Sequence, residues 1–201
     1  MKVTSIKAQV KNTERISIYV DEKYAFSLGY TQLLDQKIHV GLEIDEPRLA
    51  ELKHISEFGK AYERALMYVM LRPRSVREVR DYARRKKWAP EDTEAIIEKL
   101  ISKKYLDDRV FACAWIENRA LVKKTSKRKL QMELKQKGVT DDIITETLAE
   151  SSFDEGDALR QLIEKKRKLA RYASDDQKLM RYLAGQGFSF DDIKAALEAL
   201  A

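Results

Sequence analysis

One three-helix pattern occurs three times from residue 59 onward, about fifty residues apart, and it limits the fold more than any other feature. Ser75, Val79, Ala83, Trp88 and Ile97 correspond, at a shift of 51, to Ser126, Leu130, Leu134, Val139 and Leu148. A further shift of 49 reaches Asp175, Leu179, Leu183, Phe188 and Leu197. Each copy has a capped middle helix, a tip (KKW, QKGV, GQGF) and a capped third helix (PEDTEAIIEKL, TDDIITETL, FDDIKAALEAL). Such a unit buries its apolar face only against neighbours, so the period predicts a tandem array of three-helix modules. Gly138 and Gly187 fit the left-handed residue that ends a helix. Lys87 stands at the same place in the first copy, where local strain is expected.

The stretch before the array reads differently. Residues 3–10 and 15–20 alternate apolar and polar with many β-branched side chains, and YAFSL resumes the alternation after a turn at 21–23. This predicts a small antiparallel sheet covered by helices at 30–37 and 46–57, with Pro47 in a first turn and Asp45 as its N-cap. From 59 the period is helical. Tyr62, Ala65, Leu66, Val69 and Met70 share a face, Pro73 ends that helix, and Ser75 caps the next with Glu78 at the capping-box position. The predicted fold is mainly α: three-helix modules at 59–108, 109–152 and 153–201 behind a small β-rich domain at 1–58.

Composition fits this plan. Only 7 Gly and 3 Pro favour long helices, and 36% charged residues imply much solvated surface. Cys113, the single cysteine, lies in an apolar stripe and reads as a small buried hydrophobe. No apolar stretch near the N-terminus suits a signal peptide, and the longest apolar run, 65–71, is far short of the ~20 residues of a membrane span. A soluble cytoplasmic protein is expected.

Catalytic signals are weak. The doublets Asp107 and Asp108, Asp141 and Asp142, Asp175 and Asp176, and Asp191 and Asp192 each sit at a predicted helix start, where carboxylates cap free N–H groups. His39 and His54 are the only histidines and lack metal-ligand spacing. No phosphate-binding loop, dinucleotide fingerprint or Cys/His metal signature occurs. No enzyme, cofactor or metal is expected.

Positive charge is concentrated. Residues 1–58 carry 8 basic and 9 acidic side chains, residues 59–149 carry 22 and 14, and residues 150–201 carry 9 and 10. Arg77, Arg80 and Arg84 share a helix face, with Arg72 and Arg74 just before it. Lys123, Lys124, Lys127 and Arg128, with Lys129, occupy the matching place one module later. A solvated helix face is the plain reading. Recurrence at one point of successive modules favours a stripe that follows a polymer, and guanidinium groups suit both phosphates and an acidic protein groove. No interleaved exposed aromatics suggest base stacking, since Tyr82, Trp88 and Trp115 stand at core-like positions.

The residues 64–66 (RAL), Arg72, Pro73, Arg74, Ser75 and Glu78, the stretch YLDDRVFACAWIENR, and Leu130, Glu133, Leu134, Lys137, Gly138 and Val139 resemble the RecX family, regulators of the RecA recombinase. Residues 1–58 are also similar to a segment of longer members. Val79, Ala83 and Lys87 depart from the pattern. The resemblance implies a curved, elongated array lying in the groove of the RecA–DNA filament, hindering ATP hydrolysis, strand exchange and co-protease activity. The first two modules would supply the basic contacts, with Phe111 and Trp115 holding them together. A monomer is the simplest form for such a body, with no membrane partner, and DNA is contacted weakly or within the filament. A stand-alone basic DNA-binding protein is the alternative, a pure protein scaffold the third reading, and a hydrolase acting through Asp107 or Asp108 the most distant.

Overall fold

The structure is a computed structural model describing residues 1–10, 14–122 and 124–200. Two compact units divide it: Met1–Tyr68 with Lys86–Glu98, and Val69–Arg85 with Lys99–Ala201.

In the first unit β1 (Val3–Ala8), β2 (Arg15–Val20) and β3 (Lys23–Gly29) form an antiparallel sheet in that order. Asp21 and Glu22 make the two-residue β2–β3 turn with φ of 47° and 66°. Positive φ at both central residues matches the right-handed twist of a hairpin. Alternation puts Ile16, Ile18, Val20, Phe26 and Leu28 in one core with Ile38, Ile44 and Leu52. Residues 41–44 run beside β1, with Val3 N–H donating to Leu42 O at 2.9 Å and Gly41 N–H to Val3 O at 2.8 Å.

Helix α1 (Tyr30–Asp35) follows, and α2 (Glu46–Met70) continues as 25 residues without a break. The helix expected at 46–57 and the one expected from 59 are therefore one. Gly59, inside this helix, makes room for Gln32, whose side chain would lie 2.7 Å from a Cβ there. Arg15, 3% exposed, ties the sheet to α2 by donating to Ser27 O at 2.6 Å and pairing with Glu63 at 2.6 Å. An unpaired guanidinium at that depth would cost several kcal/mol, so Glu63 and the Ser27 carbonyl are what make the burial tolerable.

Next come α3 (Val76–Arg85) and α4 (Pro90–Ser102). In the first unit the start of α4 meets α2 through His54 Nε2 and Asp92 at 3.1 Å. Lys87 adopts φ of 57°, the left-handed conformation expected of it, while Gly138 and Gly187 have 82° and 92°.

The second unit contains α3 and two further three-helix groups. The first is α5 (Asp108–Val122), α6 (Lys127–Gln136) and α7 (Asp141–Glu150). Its core gathers Phe111, Ile116, Leu130, Leu134, Val139 and Ile144. Arg109 at the start of α5 holds Glu150 of α7 at 2.6 Å and also Glu146. The second group is α8 (Glu155–Arg167), α10 (Asp176–Gly185) and α11 (Phe190–Ala199), with the short α9 (Ala170–Ala173) inserted after α8. Leu162, Ile163, Leu179, Leu183, Phe188 and Ile193 form its core. The short α9 has no counterpart in the repeat register. Every apolar register position is buried except Trp88, which is half-exposed.

Candidate partner-binding surface

The basic residues stand where one three-helix group meets the next, and that joint is made twice with the same parts. Ser75 Oγ accepts the Glu78 N–H at 3.1 Å at the start of α3, and Ser126 Oγ accepts the Lys129 N–H at 3.1 Å at the start of α6. A carboxylate from the head of a later helix takes the first N–H: Asp108 accepts from Val76 at 2.8 Å, and Glu155 from Lys127 at 2.9 Å. The tip after the following middle helix then packs on this N-terminus. Lys137 Nζ donates to Glu78 at 2.8 Å, and Lys129 Nζ to Gln186 Oε1 at 2.8 Å. The two contacts use the same pair of register positions with donor and acceptor exchanged.

Glycine is required at each tip for space as well as for φ. A Cβ on Gly138 would sit 2.8 Å from Arg77 Cβ, and one on Gly187 would collide with Ser126 Oγ. Lys87, exposed, holds the same left-handed backbone with a side chain in place.

Electrostatics at the α3 end are unequal. Burial works against ionising Glu78, but hydrogen bonds from Lys137 and Arg72 outweigh it and hold this carboxyl below its ordinary range. Asp108 goes the other way: burial raises it, the Val76 N–H opposes, Asp107 adds repulsion, and Arg80 draws it partly back. Asp108 thus caps α3, thirty-two residues upstream, and not its own helix. Asp107 caps α5 by accepting from Arg109 N–H at 2.7 Å, and Asp175 caps α10 through Lys178 N–H at 2.9 Å.

The anticipated basic stripe is in part committed to these contacts. Arg72 donates to Glu78 at 3.1 Å and to Pro73 O at 2.8 Å, Arg74 lies 3.9 Å from Glu78, and Arg84 pairs with Asp81 at 2.9 Å. Arg80 faces Asp108. Lys124 Nζ caps Ala120 O at 2.9 Å, while the Lys127 side chain is exposed. Arg77 and Arg128, one register shift apart, are exposed and make no side-chain ion pair among the described residues. Lys123 lies outside the described residues.

Two apolar expectations need correction. Trp115 is half-buried: its Nε1–H donates to Glu133 at 3.0 Å, Arg119 lies 4.5 Å from its ring centre and Lys137 5.2 Å, and Phe111 stacks on it at 5.7 Å. It borders a groove because α5 turns this stripe toward Arg72 and Pro73. Cys113 is also half-buried, since it falls on the flank of α5 beside Glu117 and Thr147. Tyr82 and Trp88 are half-buried too. Among the described residues no cluster of His, Cys, Asp and Glu could hold a metal ion, and no helix is long and apolar enough to cross a membrane.

A small sheet followed by tandem three-helix domains joined through repeated contacts at their helix starts defines a helical-repeat protein. Four family models match in succession: the Regulatory protein RecX N-terminal domain over residues 1–45, and the first, second and third RecX three-helix domains over 61–100, 107–148 and 154–197. The chain belongs to the RecX family of regulatory proteins. It is 38% identical over 200 residues to Regulatory protein RecX of Bacillus velezensis, covering 98% of this chain and 76% of that one. The protein of the same name from Bacillus licheniformis is 36% identical over 201 residues with the same coverage. A crystal structure of regulatory protein RecX superposes with a TM-score of 0.81 over 98% of both chains at 25% identity. RecX from Lactobacillus salivarius, 24% identical, shares the fold with a TM-score of 0.62 over 71% of this chain and 96% of its own.

Proposed function

We propose that this chain binds the RecA nucleoprotein filament and lowers its ATPase, strand-exchange and co-protease activities. One observation carries the reading: α6 opens on the exposed cations Lys127 and Arg128 with no acidic residue in its own first turn, Glu155 of α8 supplying a carboxylate only to the Lys127 N–H. Cations there oppose the positive end of the helix, at a cost of roughly 0.3–1 kcal/mol each. Stability alone favours the opposite choice, as at α7 with Asp141 and Asp142 and at α11 with Asp191 and Asp192. Charge held against the helix dipole serves an anionic partner, and Arg77 repeats the exposed cation of Arg128 one module earlier. Membership of a family of regulatory proteins supports the recombinase filament as that partner.

The test is the single-stranded-DNA-dependent ATPase rate of the cognate RecA, titrated with this protein. Inhibition is expected well below one copy per recombinase protomer. Arg77→Glu with Arg128→Glu should raise the amount required by about tenfold, with the unfolding midpoint little changed, since exposed substitutions shift stability by about 0.5 kcal/mol or less. An unchanged ATPase rate refutes the proposal. Inhibition only when the protein is abundant enough to cover the DNA points to stand-alone DNA binding.

A further inference from the structure

Two hollows of about 430 and 190 Å³ meet at Arg72 and Pro73, which line both. Phe111, Ala114, Trp115 and Asn118 line the larger, and Met70, Lys104, Tyr105 and Val110 the smaller. Val110, Phe111, Ala114, Trp115 and Asn118 follow helical spacing, so one face of α5 forms the floor of both. Met70, Tyr105 and Val110 are 66%, 46% and 56% exposed, an apolar strip of the kind that marks interaction sites.

The charge around this strip is unbalanced. Arg72 and Lys137 share Glu78, and Arg119 shares Glu133 with the Trp115 N–H. With Lys104 lining the smaller hollow, these four cations outnumber the three carboxylates Glu78, Glu133 and Asp107 beside the apolar floor. Among the described residues Asp107 is the only acidic side chain lining either hollow. An incoming carboxylate finds complementary charge, while a bulky apolar side chain finds a hollow of the size that accepts ligands.

From this we infer that the groove along α5 is the docking site for an acidic segment of a protein partner bearing bulky apolar side chains. Phosphodiester backbone has no complement for the exposed Met70, Tyr105 and Val110. Trp115, with Arg119 and Lys137 already against its ring, is not presented as an open platform for base stacking. The inference rests on the preceding reading only in assigning the segment to the recombinase; the chemistry the groove selects stands apart from it.

The probe is a fluorescein-labelled peptide of about twelve residues alternating glutamate with leucine and phenylalanine, long enough to lie along a helix groove. Its anisotropy is followed with the full chain. Saturable binding is expected, with a change in tryptophan emission and a marked weakening as salt is raised. Met70→Glu with Lys104→Glu, both exposed positions, should weaken binding at least about tenfold with the unfolding midpoint preserved. Oligothymidylate should not displace the peptide. The inference is overturned if the peptide does not bind, if a lysine-for-glutamate peptide binds equally, if the double variant binds as well as the parent, or if oligothymidylate displaces it. Peptide binding without any effect on RecA ATPase keeps the docking site and removes the proposed function. Inhibition without peptide binding does the reverse.

Discussion

Gly138→Ala tests the joint between the three-helix groups most directly. Gly138 has φ of 82°, and an L-residue forced into left-handed backbone loses roughly 1–2 kcal/mol. Its new Cβ would meet Arg77 Cβ at 2.8 Å and Cδ at 3.0 Å, where carbons normally rest at about 3.5–4.0 Å. The tip must therefore withdraw by about 1 Å, and overpacking of that order costs about 1–3 kcal/mol. Withdrawal also stretches the 2.8 Å contact of Lys137 with Glu78, adding at most about 1 kcal/mol. The sum is about 2–6 kcal/mol, a fall in unfolding midpoint of roughly 4–24 °C for a chain of this size. Gly185→Ala is the control: nothing lies within 4 Å of its Cβ position, so in a helix it should be neutral or gain up to about 1 kcal/mol. Gly138→Asn separates the two causes, because Asn tolerates the left-handed region yet carries the same Cβ. Differential scanning fluorimetry with denaturant titration reads all three. If Gly138→Ala and Gly185→Ala agree within about 0.5 kcal/mol, the close approach at Arg77 is not what demands glycine.

Glu78 predicts acid sensitivity. Its folded pKa is lowered, so its contribution is present above the unfolded value of 4.5 and is lost as pH falls through the lower folded one. Glu78→Gln should be less stable than the parent at pH 7 and indistinguishable from it once the pH lies below both values, as pH-dependent urea midpoints would show. A constant difference across that range contradicts the assignment. Asp108 has the opposite shift, so its carboxylate is disfavoured by folding above its ordinary range. Asp108→Asn should keep the Val76 cap and be neutral or stabilising at pH 7, whereas Asp108→Ala should cost about 0.5–2 kcal/mol by leaving that N–H unmet. Equal losses in both variants would show that charge, and not the hydrogen bond, holds the end of α3.

The repeat was legible because its signals are local. Apolar spacing, a cap before each middle helix and a glycine after it are all written within a few residues, and Leu130, Leu134, Leu179 and Leu183 are fully buried as that spacing requires. The left-handed backbone at Lys87 was legible for the same reason. What connects modules was not. Asp108 reads as a cap for its own helix and serves Val76 instead, a pairing that no local periodicity records. The basic corners read as a stripe that follows a polymer, yet Arg72, Arg74 and Arg84 each have an acidic neighbour in the folded chain. Residues 41–44 gave no strand signal because one edge alone pairs with β1. The groove was half visible: YLDDRVFACAWIENR stood out, but Met70 and Lys104 reach it only through the fold.

The joint has a head and a tail that differ, a socket at the start of one middle helix and a bare tip after the next. Contacts of this heterologous kind do not close on themselves, and between separate molecules they propagate into strings. The two unmated ends of the series are the places where such growth would start. At one, Lys87 carries a side chain where the tips at Gly138 and Gly187 admit only hydrogen. At the other, Asp175 stands where Ser126 donates its hydroxyl proton to Gln186 O at 2.9 Å, and a carboxylate would meet that carbonyl with like charge. A second copy that docked through the surface linking the modules inside the chain would meet a misfit at either end, a side chain at one and a like charge at the other.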